Sequence, residues 1–336
     1  MRRAYLTVYY DGKNITREIN EDLVAFSFAE KADEEADEMT LTLGDPDRLW
    51  QGDWNPARGD RVHPMIFCEN WFVPGDSLML SGGVFEVDEV ELSSSGGGGD
   101  VVTVKAVPDL VTTALAGQKK TRSWEGASLA RIAKDIAEGA PLDLVYRADA
   151  IPLKRVDQRQ ETDLAFLQRL CTEQGCRLKI ADGELVVFDG RQADALAPVT
   201  LTRADGGNLR ARQVTAEVYS KVVIAFMNPG TSKKTTYEYT PPDAPATGKV
   251  LTLNQRVENA AQAERVAKAE LRKKNAEERQ ADWSGMGRPD LRAGGTVNLE
   301  GWGRYDGLYA VKEATHEYSK TGGYTTSAIL RKALEF

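Results

Sequence analysis

The chain has 336 residues, enough for two or three domains, and its 41% hydrophobic and 28% charged content is that of a folded globular protein, not a disordered one. Its 51 acidic against 43 basic side chains leave a net charge of −8, which argues against a protein whose main task is to coat nucleic acid. Three cysteines are too few for a disulfide framework, and no stretch approaches the roughly 18 apolar residues that a membrane-spanning helix needs. The N-terminal run MRRAYLTVYYDG alternates polar and apolar like a strand and lacks the apolar core of a signal peptide, so the expectation is a chain made and kept in a cytoplasm, with no membrane anchor.

Residues 1–116 read mostly as β. Tyr5–Tyr10 ends at Asp11-Gly12, and a second run covers Leu23–Ala29. Met39–Leu43 alternates and stops at Gly44-Asp45-Pro46; further strands are expected at Arg61–Phe67, Gly83–Leu92 and Val101–Ala106. The Ser-Gly run from Ser93 to Asp100 joins the last two as a hairpin tip. It is no phosphate cradle, since neither a Lys-Ser/Thr pair nor a helix follows it. Six or seven short strands with turn chemistry between them suggest a closed barrel or sandwich.

Composition shifts near Gly117. In the run from Ser123 to Ile136, Leu129, Ile132, Ala133 and Ile136 recur at the spacing of one helix face. A short strand is expected at Leu142–Tyr146. A second helix should start at Thr162 or Asp163 with Leu164, Phe166, Leu167, Leu170 and Cys171 on its apolar side. Arg177–Ile180 and Glu184–Phe188 flank Asp182-Gly183, a two-residue hairpin signal. Helix, strand, helix, hairpin is the order of a small α/β domain over 118–190.

From Pro198 onward β returns, with strands expected at Val199–Thr202, Gln213–Val218, Lys221–Phe226 and Leu251–Leu253. Val257–Gln280 is helical in composition, rich in Ala, Glu, Arg and Lys with i,i+4 charge pairs and a thin apolar stripe. Such a helix should rest one face on a barrel and leave the other wet. The last fifty residues alternate again: Thr296–Leu299, the turn Gly301-Trp302-Gly303, a reversal at Asp306-Gly307, then two more strands.

The common catalytic constellations are missing. His63 and His316 are the only histidines, neither in an H-E-x-x-H or H-x-E setting, and both read as structural or surface residues. Cys68, Cys171 and Cys176 read as ordinary buried thiols. There is no G-x-S-x-G, S-x-x-K or P-loop. The acidic run Glu30–Glu38 lacks calcium-loop spacing and reads as a solvated connection; it could also line a channel or meet a basic partner. The expectation is therefore no catalytic residue, no metal and no cofactor.

Two stretches carry a family resemblance. Gln158–Gly190, QRQETDLAFLQRLCTEQGCRLKIADGELVVFDG, has Glu161, Thr162, Asp163, Phe166, Leu167, Arg169, Leu170, Gly175, Lys179, Gly183, Leu185 and Phe188 in the pattern of the late control protein D family. The C-terminal run matches that family at Gly301, Gly303, Tyr305, Asp306 and Gly307, then at His316, Ser319, Gly322, Gly323, Tyr324, Thr325, Thr326, Leu330 and Arg331. These are central hub proteins of contractile phage tails, similar to the T-even phage hub and to the hub part of type VI secretion spike proteins. The resemblance implies a mainly β fold with α+β parts: a β-barrel-like domain over 1–117, the small α/β domain over 118–190, and a second β-barrel-like domain over 191–336 with the surface helix 257–280 inserted. It implies a homotrimeric ring with pseudo-sixfold symmetry that joins a sixfold tail tube to a threefold spike and leaves a channel for DNA.

The partners that follow are two further copies, the tail spike protein, the tail tube or tube-initiator protein, the tape measure protein and the baseplate wedge. DNA would be met only in passage, through a bore expected to carry part of the acidic excess. The location would be the virion tail baseplate, assembled in the host bacterial cytoplasm. Trp302 and Tyr305, at a hairpin tip, are the candidate interface residues, with barrel closure as the competing role. The alternative is a cell-wall-binding or peptidoglycan-processing tail component, suggested by the small size of the central segment. The family name also suggests a transcription regulator, which a net-acidic chain without a basic recognition helix does not fit.

Overall fold

The structure, a computed structural model, describes residues 1–334 apart from 33–35, 97–98, 109–114, 141, 182, 190–197, 217, 229–232, 243, 245–247 and 256. The described part is mainly β with four α-helices. The first part of the chain supplies β1 (Arg3–Tyr10), β2 (Lys13–Asn14), α1 (Thr16–Asp22), β3 (Leu23–Lys31), β4 (Glu38–Gly44), β5 (Arg61–Glu69), β6 (Ser77–Ser81), β7 (Phe85–Ser95) and β8 (Gly99–Pro108). The middle supplies β9 (Lys120–Glu125), α2 (Leu129–Gly139), β10 (Asp143–Arg147), β11 (Arg155–Glu161), α3 (Asp163–Glu173), β12 (Arg177–Ala181) and β13 (Glu184–Phe188). The last part supplies β14 (Val199–Thr202), β15 (Asn208–Gln213), β16 (Tyr219–Asn228), β17 (Lys233–Tyr239), β18 (Lys249–Leu253), α4 (Ala260–Asn275), β19 (Arg279–Met286), β20 (Thr296–Glu300), β21 (Gly307–Ser319) and β22 (Gly323–Lys332).

Strands from both ends of the chain share one 14-stranded sheet, whose main path runs β15-β19-β22-β21-β3-β4-β8-β7-β5-β1-β2. The seam is β21 against β3, antiparallel, with Glu313 opposite Lys31 and Tyr318 opposite Phe26. Among the described residues this path is open, starting at β15 and stopping at β2, so the hydrogen bonds draw neither a closed barrel over 1–116, one of the two forms strand count suggested, nor the two separate barrel-like domains the resemblance implied. Each end of the chain would otherwise leave a long edge of unpaired backbone groups, and joining the two edges satisfies both. Two apolar clusters remain distinct under the common sheet. One is centred on Leu6, Phe26, Phe28, Met39, Phe85 and Val104, the other on Trp283, Val297, Leu299, Tyr309, Val311 and Leu330.

The central part has its own core. Ser128 caps α2 by accepting from the Arg131 N–H, and Leu129, Ile132, Ala133 and Ile136 are buried, as their spacing requires. Thr162 caps α3 in the same way through the Ala165 N–H. Phe166, Leu167, Leu170 and Cys171 pack inward, while Leu164 is half-buried. Each large apolar side chain buried here contributes about 1.5–3 kcal/mol relative to exposure. The three-stranded sheet runs β10-β13-β12, with β10 parallel to β13. Gly183, at φ +77, occupies the left-handed position of the hairpin turn.

Three elements depart from the sequence pattern. Ser123-Trp124-Glu125 is not the lead-in to α2 but part of β9, an antiparallel partner of β11. The strand expected over 213–218 lies earlier, as β15, where Asn208 to Gln213 pair with Ser284 to Arg279. The helix expected over 257–280 starts at Ala260, after the Asn259 cap, and gives way to a 3-10 turn at Ala276–Glu278. Its Lys, Arg and Glu composition runs on past that point, but Gln280–Met286 pairs with β22, so tertiary pairing outweighs helix propensity. Instead of resting on a barrel, α4 covers a small sheet of its own, β17-β16-β18, burying Ala263, Val266, Ala267 and Leu271 against Val222, Ile224, Phe226 and Leu251.

Candidate functional site

A sheet with one covered face has another to offer. The side chains of β3, β4, β8, β21 and β22 alternate: Phe28, Met39, Ala106, His316 and Thr326 point to the interior, and their neighbours point out. Pairing aligns the outward residues into rows across the seam. One row runs Met286, Thr325, Glu317, Ser27, Thr40, Lys105, Glu89, one residue from each successive strand from β19 to β7. A second runs Asn208, Ser284, Ser327, Thr315, Ala29, Glu38. The result is a broad plateau of mostly short polar side chains.

Its ionisable groups are mixed, with Glu38, Glu89, Glu91, Asp282, Glu313 and Glu317 set among Lys31, Lys105, Arg210, Arg212 and Arg331. The Lys105 ammonium donates to Glu89 Oε2 at 3.1 Å. Nearby opposite charges hold the exposed Lys105 above its ordinary range, first through that bond and then through the field of Glu89. On this face the two signs are interleaved.

Trp302 and Tyr305 do lie together, on the turn between β20 and β21. The Trp302 N–H donates to Asp306 Oδ1 at 2.6 Å, and the Tyr305 carbonyl accepts from the Tyr309 hydroxyl at 2.8 Å. Trp302 is half-buried and packs against the C-terminal core, so part of its surface closes that core and the rest faces out. Tyr305 is also half-buried.

The histidines are placed differently from each other. His63, on β5, shares a 2.9 Å hydrogen bond with Ser81 Oγ. His316 is fully buried beneath the plateau, bonded through Nδ1 to the Tyr324 hydroxyl at 2.8 Å and Thr326 Oγ1 at 3.1 Å. Burial pushes its pKa down to about 4, so it is neutral at physiological pH. All three cysteines are free and buried, and among the described residues no group of His, Cys, Asp and Glu could hold a metal ion. No helix among the described residues is long and apolar enough to cross a membrane.

Of the acidic run, Asp33, Glu34 and Glu35 lie outside the described residues and Glu38 is exposed, but Glu30 and Asp37 are buried, which the reading as a solvated connection did not anticipate. Glu30 accepts from Arg292 Nε at 2.6 Å and from the Ala293 N–H at 3.2 Å. Asp37, 3% exposed, accepts from the Lys31 N–H at 2.8 Å and lies 3.7 Å from the Lys179 ammonium of the central part. Burial raises the Asp37 carboxyl to about 6; Lys179 and the Lys31 N–H pull the other way and only partly offset it. A carboxyl raised in the fold favours folding when protonated. The contribution is fully present below the unfolded value near 4 and is lost as pH rises through about 6. Urea unfolding followed across that window should show this loss in the wild type, and D37N should flatten it; an unchanged slope in D37N would contradict the assignment.

Similarity to known proteins points in one direction. Residues 80–322 match the model of the phage tail baseplate hub (GPD) family. The probable baseplate hub protein of Escherichia phage P2 is 30% identical over 204 residues, which is 58% of this chain and 49% of that protein, so the match spans about half the length of its curated relative. Among solved structures, a tail protein from Neisseria meningitidis MC58 superposes with a TM-score of 0.70 at 18% identity, covering 98% of this chain and 96% of the other. The Escherichia coli c3393 protein, a type VI secretion component described as similar to T4 tail proteins gp27 and gp5, superposes at 0.58 with 12% identity over 94% of this chain and 75% of its own. These two likenesses establish a shared fold. With a family match over most of its length, the chain belongs to the phage tail baseplate hub (GPD) family.

Proposed function

We propose that the chain is the structural hub subunit of a contractile phage tail or related particle, located in the tail baseplate of the virion and assembled in the host cytoplasm. Three copies form a ring, and the plateau of short polar residues faces the bore. The observation that carries this reading is the plateau itself: a sheet spanning both ends of the chain, with apolar cores under one face and an uncovered face dominated by Ser, Thr, Ala and interleaved charges. On a wall of this kind the long basic side chains stand among carboxylates and short polar groups, which would keep their grip on DNA weak. Passage would rest on that weak grip instead of on net repulsion, since the plateau's acidic and basic groups nearly balance.

The two separate cores under the common sheet support treating 1–117 and 191–336 as barrel-like halves. Six such halves in a trimer present a pseudo-sixfold rim to the tail tube and a threefold rim to the spike. The central cluster supports a third unit over 118–190, carried outside the ring and available to tape measure or wedge proteins. Trp302 and Tyr305 are the proposed partner contacts at the rim. Light-scattering mass measurement of the purified chain, alone and with the spike protein of its particle, tests this. The expected complex holds three 36.9 kDa chains on a spike trimer; a monomer that ignores the spike would overturn the reading.

A further inference from the structure

The central part of the molecule does not lie flush against the small sheet under α4. Between them is a cleft of about 1440 Å³. Its far wall is the Pro152–Arg155 segment and the end of α3, and its near wall is one end of β17-β16-β18 together with the first turn of α4. Phe226 and Leu253 give the near wall an apolar surface, and the side-chain amides of Gln174 and Asn254 stand beside it. Lys154, Arg155, Lys234 and Arg265 also line the cleft, against a single carboxylate among the described residues, Glu258. Arg155 is shared with Glu125 and Asp157, whereas the lysines project from exposed positions. Arg265 donates through Nη2 to Gln174 Oε1 at 2.9 Å, but its buried Nε–H has no acceptor among the described residues.

In a chain of net charge −8, a recess with this balance is a local exception. Apolar ground flanked by amide groups suits an extended backbone, and the surrounding cations select the sign of its side chains. We propose that this cleft is a docking groove for an acidic, extended polypeptide segment of a partner protein. Lys154 and Lys234 act as the charge-selecting pair, and Arg265 contributes a donor at the floor. The inference needs no ring and stands apart from the hub reading.

The test uses the whole protein and a fluorescein-labelled probe peptide of alternating Glu and Leu, about ten residues long, with a Lys-for-Glu version as its mirror. Anisotropy titration should show the acidic probe binding in the sub-millimolar range, the basic probe not binding, and K154E/K234E weakening the acidic probe about tenfold or more. The pair K13E/K119E changes the net charge equally at exposed sites outside the cleft and should leave binding within about twofold. Equal losses in the two pairs would mean general charge attraction and would overturn the proposal, as would binding of both probes or of neither. Trimer assembly with the spike, measured on K154E/K234E, should be unchanged, which keeps failure of the groove distinct from failure of the hub reading.

Discussion

Replacing Arg292 by alanine is expected to lower stability by about 3 kcal/mol, because it strands a buried carboxylate. Glu30 lies on β3 from the first part of the chain; its side chain is 2% exposed, while that of Arg292 is 36% exposed. Arg292 comes from the loop between β19 and β20. It donates through Nε to Glu30 at 2.6 Å and through Nη2 to the Ser81 carbonyl at 3.2 Å. Without the guanidinium, Glu30 keeps only the Ala293 N–H as a donor among the described residues, too little for an ionised group out of water. At roughly 2–4 °C per kcal/mol, the melting temperature should fall by about 6–12 °C. The double variant E30Q/R292A removes the charge but keeps an oxygen to accept from Ala293, and it should recover at least half of the loss. Thermal unfolding of the wild type and both variants decides it. If the double variant melts no higher than R292A, the stranded charge is not the cause.

This ion pair joins the two ends of the chain beside the β3–β21 seam, and that level of organisation is the one composition and spacing do not reach. Local features were readable. The Thr162 cap, the apolar face of α2 and the Gly183 turn follow from residue chemistry within a few positions. The family-like run Gln158–Gly190 also has a local explanation. Glu161 accepts two hydrogen bonds from Arg169, at 3.1 and 2.9 Å, and Asp163 at the start of α3 takes Lys120 Nζ at 2.6 Å and Gln158 Nε2 at 2.9 Å.

Pairing between distant strands was not readable. Nothing in Met39–Leu43 or Thr325–Ile329 announces that Ser, Thr and Ala opposite the apolar positions will align into rows across strands from opposite ends of the chain. The signal present was the polar half of each alternation, which a search for core residues discards. Two residues of the acidic run depart from its solvated reading for a related reason: Glu30 and Asp37 are polar by type, and only their distant partners Arg292 and Lys179 draw them inside. For a member of the baseplate hub family proposed to act as a structural subunit, such surfaces and seams are where the functional content would lie.

The substitution G287A should be as damaging as removing a large core side chain, at about 3 kcal/mol or more. A Cβ on Gly287 would sit 2.1 Å from Tyr324 Cδ1 and 2.4 Å from Cε1, distances no side-chain carbon tolerates. Tyr324 has nowhere to go. It is 3% exposed, its hydroxyl is bonded to His316, and its ring centroid lies 5.8 Å from that of Trp71. The backbone of Gly287 is committed as well, with its N–H donating to the Tyr324 carbonyl at 2.9 Å and its carbonyl accepting from Trp71 Nε1 at 2.6 Å. Trp71 belongs to the first part of the chain and Gly287 and Tyr324 to the last, so the glycine closes a second lock across the two ends. The cause can be isolated in a Y324A background, where the ring is gone and adding G287A should cost less than about 1 kcal/mol, a coupling of 2 kcal/mol or more. The same cost in both backgrounds would place the strain in the Gly287 backbone instead of in the ring above it.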